Sequence, residues 1–247
     1  MTDDLVSIIM PVYNGANTVG ESIASILAQT YEHWELIIVD DCSTDNTGDI
    51  VAQYTSENVH YWRQLQNTGV AGARNKAISM AKGRYIAFLD CDDLWLPEKL
   101  ERQLVFMKDN DYGFTYTEYR QFTDNPQSAG AIVKVHDYVD YKELLKGNDI
   151  GCLTVMLDRE KFPKIKMPKD RHEDYITWLN LLHCGQRAYG LHLDLARYRK
   201  SEKSLTGNKW QSLKWTWDVY RKSQALSRYQ SIKNMCHYIV KGIKKHY

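Results

Sequence analysis

Four short apolar runs, each followed by a polar or acidic cluster, constrain the fold of this 247-residue chain more than any other feature. They are Val6–Val12, Leu36–Val39, Val59–Arg63 and Tyr85–Leu89. Val6–Val12 reads as a strand buried on both faces, because such strands need no polar side. Between the runs the pattern changes to helical spacing. Val19, Ile23, Ile26 and Leu27 recur on one face, Asp45-Asn46-Thr47 has the capping chemistry of a helix start, and Ala71–Lys82 is rich in alanine. Strand and helix alternating through short connections predict an α/β fold: a doubly wound, mainly parallel sheet with helices on both faces. Ligands bind such sheets outside the carboxyl ends of the strands. Tyr13-Asn14-Gly15, Asp40-Asp41 and Asp90-Cys91-Asp92-Asp93 all fall there.

The second half is less regular. Helices are expected over Leu96–Lys108, Val139–Leu145 and Asp174–His183, and strands over Tyr112–Phe122, Leu153–Leu157 and Leu191–Tyr198. From Trp210 onward the pattern predicts a helical tail in two pieces. Charge divides the chain the same way. Residues 1–196 carry net −10 and residues 197–247 net +11, so an acidic body precedes a basic tail that is suited either to an anionic partner or to the body itself. The five cysteines have no CxxC spacing and read as reduced thiols. No secretory leader and no span of roughly 20 apolar residues is seen, so the expected location is cytoplasmic. No nucleic-acid partner is expected.

Asp90-Cys91-Asp92-Asp93 puts three carboxylates within four residues. They repel one another unless a cation is present, and hard oxygen ligands suit Mg²⁺ or Mn²⁺ held together with substrate phosphates. The simpler account is an acidic helix start before Leu94-Trp95-Leu96-Pro97, with Asp93 as its cap; the position after a buried strand favours the ligand site. Asp40 and Asp41 can accept from a base N–H or a ribose hydroxyl, with Ser43 or Asp45 capping the next helix. In Asn67-Thr68-Gly69 to Ala73-Arg74-Asn75, Gly69 and Gly72 permit close backbone approach to an anion at a helix start, and Arg74 can reach a phosphate or the base. Glu173 and Asp174 suit a helix N-terminus on electrostatic grounds alone, and equally suit a general base that deprotonates an acceptor hydroxyl. Walker A, G-x-S-x-G and G-x-G-x-x-G motifs are all missing, which argues against a P-loop kinase, a serine hydrolase and a Rossmann dehydrogenase.

Taken in order, these pieces resemble the family 2 glycosyltransferases, inverting enzymes of the GT-A fold. The matching text is Val6-Ser7-Ile8-Ile9-Met10-Pro11-Val12-Tyr13-Asn14, Glu35–Asp45, Asn67–Asn75, Tyr85–Asp93 and Glu173-Asp174-Tyr175. The arrangement is similar to that of enzymes building bacterial surface polysaccharides. The resemblance implies a donor side made of Pro11, Tyr13, Asn14, Asp40, Asp41, Asn67, Arg74, Asp90, Arg199 and Lys203. In it Tyr13 lies near the uracil and Asp41 recognises the base. Asp92, with Asp90, would hold Mn²⁺ or Mg²⁺; Asp174 would be the base and Glu173 would shape the acceptor side. The implied partners are a nucleotide-sugar, UDP-linked, and a glycan or lipid-linked glycan acceptor. The implied organisation is a GT-A catalytic domain over 1–207, with a nucleotide-sugar half 1–95 and an acceptor half 96–207, then a basic helical extension 208–247. One departure stands out: where many relatives have Tyr-Arg-x-His, this chain reads Tyr198-Arg199-Lys200-Ser201, and Arg199, Lys200 or Lys203 could supply positive charge to the leaving group instead.

Two rival functions fit the sequence less well. A sugar nucleotidyltransferase would carry a Gly-rich basic loop after the first strand, and Tyr13-Asn14-Gly15-Ala16-Asn17 has no basic residue. A non-catalytic nucleotide-sugar-binding module would not need the acidic set or Asp174. In the tail, Ile232, Met235, Ile239, Val240 and Ile243 fall near one helical face with lysines around it, and Trp210, Leu213, Trp217 and Tyr220 form an earlier stripe. The later stripe reads as a peripheral membrane contact, the earlier one as core or dimer packing.

Overall fold

The structure is a computed structural model that describes residues 4–123, 125–183, 185–200 and 209–244. Lys203 and Ser201 lie outside the described residues, as do the side chains beyond Gly242. The chain opens as expected: β1 (Val6–Val12), α1 (Val19–Leu27), β2 (Trp34–Asp40), α2 (Thr47–Ala52), β3 (Val59–Arg63), α3 (Val70–Met80) and β4 (Tyr85–Phe88). These four strands are parallel and lie in the order β3-β2-β1-β4. The chain therefore steps outward twice and then crosses back past β1. That reversal leaves a crevice between the ends of β1 and β4, the switch point where open α/β sheets take ligands.

The side-chain period of two explains the layers. Ile8, Met10 and Val12 pack with Val19, Ile23 and Ile26 of α1 on one face. Ile9, Ile37 and Val39 pack with Ala71, Ala73 and Ala77 of α3 on the other. Both sets are essentially shielded from water, which is why the strands lack polar alternation.

The second half extends the sheet with β5 (Leu94–Trp95), α4 (Lys99–Asp109), β6 (Phe114–Phe122), β7 (Ile132–Val133), β8 (Tyr138–Val139), α5 (Tyr141–Leu144), β9 (Met156–Asp158), α6 (Glu173–Leu182) and β10 (Ala188–Arg199). The main path runs β3-β2-β1-β4-β9-β6-β10-β5, with β7 on β6 and β8 on β10. Pairings of β9 with β4 and β6 are antiparallel and short, whereas β6 and β10 run parallel over most of their length. The sheet is thus mixed, with its long pairings parallel and helices on both sides. Trp178 of α6 is fully buried and meets Phe88 and Phe114 edge-on, at 5.6 and 5.4 Å between ring centroids, which joins the two halves of the sheet through one core.

Several boundaries differ from the sequence reading. The helix expected from Leu96 begins at Lys99, because Leu94 and Trp95 pair with Arg197 and Ala196 of β10. Leu153 belongs to a 3-10 turn, Cys152–Thr154, ahead of β9. Val139 pairs as strand and only Tyr141–Leu144 is helical, with Asp140 capping the Glu143 N–H at 2.9 Å. The tail is helical in two pieces, α7 (Lys209–Asp218), which runs on through a π-helical turn Val219–Ser223, and α8 (Arg228–Lys244). Tyr220 of the earlier stripe is buried in the main core beside Val219, whereas Trp210 is exposed; Met235 of the later stripe packs against the same core. Among the described residues no helix is long and apolar enough to cross a membrane.

Candidate functional site

β4 leaves β1 early. The last bond between them runs from the Leu89 N–H to the Ile9 carbonyl at 3.1 Å. In a strand alternate residues face alternate neighbours. Pro11, two residues on, therefore turns its backbone nitrogen toward the side where β4 has gone. A proline has no N–H to leave unpaired there. Beyond it Tyr13 is 51% exposed at the rim. Asn14 adopts a left-handed φ of 50° and knots two loops together: its N–H donates to Ser43 Oγ at 2.9 Å and its Oδ1 accepts from the Thr44 N–H at 2.8 Å. Asn14 thus builds the rim, and its side-chain oxygen is already engaged.

The two aspartates after β2 part company. Asp40 is 1% exposed and both its oxygens are occupied, Oδ1 by the Ser43 N–H at 2.7 Å and Oδ2 by the Tyr61 hydroxyl at 2.6 Å. Asp40 thereby ties the turn at Ser43 to β3. Asp41 gathers the 64–69 loop: Oδ1 accepts from the Thr68 N–H at 2.7 Å and Gln64 Nε2 at 2.8 Å, and Oδ2 from the Gly69 N–H at 2.7 Å. Asp41 itself is therefore the anion met by the N–H groups ahead of α3. Gly69 is needed because its φ is +80°; Gly72 is needed because a Cβ there would fall 2.1 Å from Thr68 Oγ1. Asn67 is exposed beside this loop and donates from Nδ2 to the Asp41 carbonyl at 3.1 Å.

At the end of β4 the acidic cluster is divided among three tasks. Asp90 Oδ1 accepts from Arg74 Nη2 at 2.6 Å, and Arg74 Nη1 donates to Glu173 Oε1 at 2.7 Å. Arg74 is buried, its side chain only 4% exposed, so it bridges the end of β4 to the start of α6. Asp93 is not a helix cap: its Oδ1 accepts the Arg199 backbone N–H at 2.8 Å, across 106 residues. Arg199 is likewise committed to the acidic turn. Its Nε donates to the Asp92 carbonyl at 2.8 Å, its Nη2 pairs with Glu21, and its guanidinium lies over the Phe122 ring. These contacts place Arg199 against the turn that bears Asp92.

Asp92 remains. Burial, then the neighbouring Asp90 charge, push its carboxyl up to about 6. Among the described residues its carboxylate is hydrogen-bonded by its own backbone N–H. A strained carboxylate of this kind beside a second carboxylate fits a hard divalent cation. Among the described residues, no group of three protein ligands gathers that could hold a metal by itself. The residues therefore fit an ion completed by substrate oxygens, as Mg²⁺ sites commonly are, and not an all-protein cage.

Asp174 lies one residue beyond Glu173, in the first turn of α6. Burial, followed by the Glu173 charge, pushes it up to about 6, with Arg74 opposing. Its Oδ1 accepts from the Tyr175 N–H at 2.7 Å, and its Oδ2 faces Asn148 Nδ2 at 3.4 Å. Asn148 was missed from the sequence; Gly147-Asn148-Asp149 signals a turn, but nothing local ties it to a residue 26 positions on. Tyr61, Gln64 and Thr68, which fix the two aspartates after β2, were missed for the same reason. Two clefts away from this cluster, one below Leu96–Glu98 and one between Pro168 and Trp215, contain none of the expected site residues.

The parallel strand set with its switch point, the acidic turn at the end of β4 and the carboxylate pair at the start of α6 are arranged in the GT-A architecture. The chain belongs to glycosyl transferase family 2, whose family model matches residues 7–165. It is 42% identical over 98% of its length to TuaG of Bacillus subtilis (strain 168), described as a teichuronic acid biosynthesis glycosyltransferase, and covers 97% of that protein. It is 41% identical over its whole length to WfgD of Escherichia coli, named UDP-Glc:alpha-D-GlcNAc-diphosphoundecaprenol beta-1,3-glucosyltransferase, and covers 96% of it. In fold it is similar to the S. aureus TarS fragment 1-349 in complex with UDP, with a TM-score of 0.70 at 18% identity over 95% of this chain and 70% of that one. A mannosyltransferase from Pyrobaculum calidifontis in complex with GDP-Man and Mn²⁺ gives the same TM-score at 19% identity, over 90% of this chain and 65% of that one. As a family 2 enzyme the chain is a glycosyltransferase, which sets aside the nucleotidyltransferase and the non-catalytic module.

Proposed function

We propose that this enzyme transfers a sugar from a UDP-sugar to a hydroxyl of a lipid-carried glycan during surface polysaccharide synthesis, with inversion at the anomeric carbon. The observation that carries the reading is the Asp90–Arg74–Glu173 bridge, which sets the acidic turn of β4 beside the first turn of α6. In this reading residues 1–95 form the donor half, 96–207 the acceptor half, and 208–247 an extension that meets the inner face of the cell membrane peripherally. The TarS complexes with UDP and UDP-GlcNAc and the acceptor in the WfgD name support the choice of partners.

The exposed Tyr13 ring offers a flat wall to the base, with the buried Pro11 behind it. Asp41 Oδ2 accepts from the Gly69 N–H and keeps a lone pair for the N–H of a uracil. Asp92 and Asp90 would hold Mn²⁺ or Mg²⁺ with the diphosphate oxygens; a bound ion there supplies neutralisation of charge on the departing nucleoside diphosphate. Asp174 takes the proton of the acceptor hydroxyl. A carboxylate held at about 6 is ionised at neutral pH yet more basic than an ordinary aspartate, which suits a general base. The hydroxyl oxygen attacks the anomeric carbon opposite the diphosphate, so one displacement inverts the centre. Arg74 orients Asp90 and Glu173, and Arg199 orients the turn bearing Asp92. The test is a thermal-shift screen of nucleoside diphosphates with and without Mn²⁺, followed by transfer assays of wild type and Asp174→Asn. UDP should stabilise most and Asp174→Asn should bind UDP without transferring; transfer retained by that variant rejects the base assignment.

A further inference from the structure

Helix α8 has two faces of different character. Met235 packs on the main core, and Ser231 is fully buried. On the same side Tyr238 and Ser212 hydroxyls are 3.0 Å apart, and Lys241 Nζ donates to Asp149 Oδ2 at 2.6 Å. The opposite side faces solvent with Tyr229, Ile232, Ile239 and Val240, which are 77, 56, 42 and 51% exposed. At 100° per residue these four fall within one third of the helix circumference, with the exposed Arg228 and Lys233 at its two margins. The helix carries four basic and no acidic residues, in a chain whose first 196 residues are net −10. Trp210, 83% exposed, starts α7, which lies alongside α8 through the Ser212–Tyr238 contact.

We infer that this outward face of α8 docks on the surface of a bilayer containing anionic phospholipid. An apolar stripe with cationic margins lets the apolar side chains enter the interface while the long basic ones reach the phosphates. A second copy of the chain would instead bring two cationic faces together. The inner face explains what docking would serve, an idea that builds on the reading of a lipid-carried acceptor. Lys241 grips Asp149, and the Tyr220 hydroxyl holds the Leu145 carbonyl at 2.6 Å. Between them lies Asn148, which faces Asp174. The docking helix is thus one loop away from the proposed base.

The experiment is vesicle flotation of the full chain with phosphatidylcholine alone and with added phosphatidylglycerol, without donor or acceptor. Wild type should float with the anionic vesicles and not with the neutral ones, and raised salt should weaken it. The Ile232→Asp/Ile239→Asp variant should lose at least about tenfold in partitioning, since each change puts a charge into the interface. Unchanged melting temperature shows that the variant is folded, as expected for exposed positions. Wild type that stays unbound, equal flotation of wild type and variant, or equal binding to neutral vesicles overturns the proposal. So does a wild-type dimer in sedimentation velocity that the same variant dissociates, which would assign the face to a second copy. Binding is read without turnover, so a failed donor assay leaves this result standing and a failed flotation leaves the sugar-transfer reading untouched.

Discussion

Replacing Arg74 by methionine keeps the length and apolar stem of the side chain and deletes its charge. Two carboxylates, Asp90 and Glu173, are then left facing the vacated space with side-chain exposures of 33 and 17%. Removing one partner of a buried ion pair costs about 3–5 kcal/mol, and the partial exposure of Asp90 places this case at the lower end, about 3 kcal/mol. For a domain of this size each kcal/mol lowers the melting temperature by about 2–4 °C, so a fall of about 6–12 °C is expected by calorimetry. A second effect separates positioning from plain destabilisation. Arg74 opposes the upward shift of Asp174, so the acid limb of kcat/KM, expected near pH 6 in the wild type, should move to higher pH in Arg74→Met. Arg74→Lys should fall between the two, because an ammonium cannot present two fixed donors to two carboxylates. Measured at a temperature where both proteins are folded, a variant with wild-type stability and an unmoved acid limb would refute the bridging role.

Asp174→Asn should melt no lower than wild type at pH 8. The raised carboxyl, about 6 against 3.8 unfolded, means the folded state loses stability as pH rises through that window, and the amide removes the penalty; a clear loss at pH 8 that persists at pH 5 would contradict this. Asn148→Ala should lower kcat by about tenfold and leave UDP affinity by calorimetry unchanged, because it acts on the orientation of the base; weakened UDP binding would place it on the donor side instead. Asp41→Ala should orphan the Thr68 and Gly69 N–H groups and cost about 1–3 kcal/mol in denaturant unfolding, with loss of UDP binding. Chelation of divalent ions should abolish UDP-sugar turnover, with Mn²⁺ restoring it; full activity in chelator would remove Asp92 from its proposed task.

The strand ends were legible because buried parallel strands must be continuously apolar, so the polar residues that close them stand out in the sequence. What those residues do with their side chains was not. Asp93 looked like a cap because an acidic residue before a helix usually is one; its true partner is a backbone N–H in the last strand. Arg74 and Arg199 looked available to phosphate because spacing says nothing of carboxylates brought close by folding. Met235 was grouped with Ile232, Ile239 and Val240 by helical spacing, yet sits far enough round the helix to turn inward.

Pro11 carries a consequence of its own. A parallel sheet grows wherever a strand presents an unpaired backbone donor beside an acceptor, and the edge of β1 past Ile9 would otherwise invite a further length of backbone. Withholding an N–H at Pro11 makes that edge unrewarding to backbone and leaves the space to side chains, such as that of Cys91, whose sulfur lies against Gly15. The parting of β1 from β4 is thereby guarded by a single absent hydrogen.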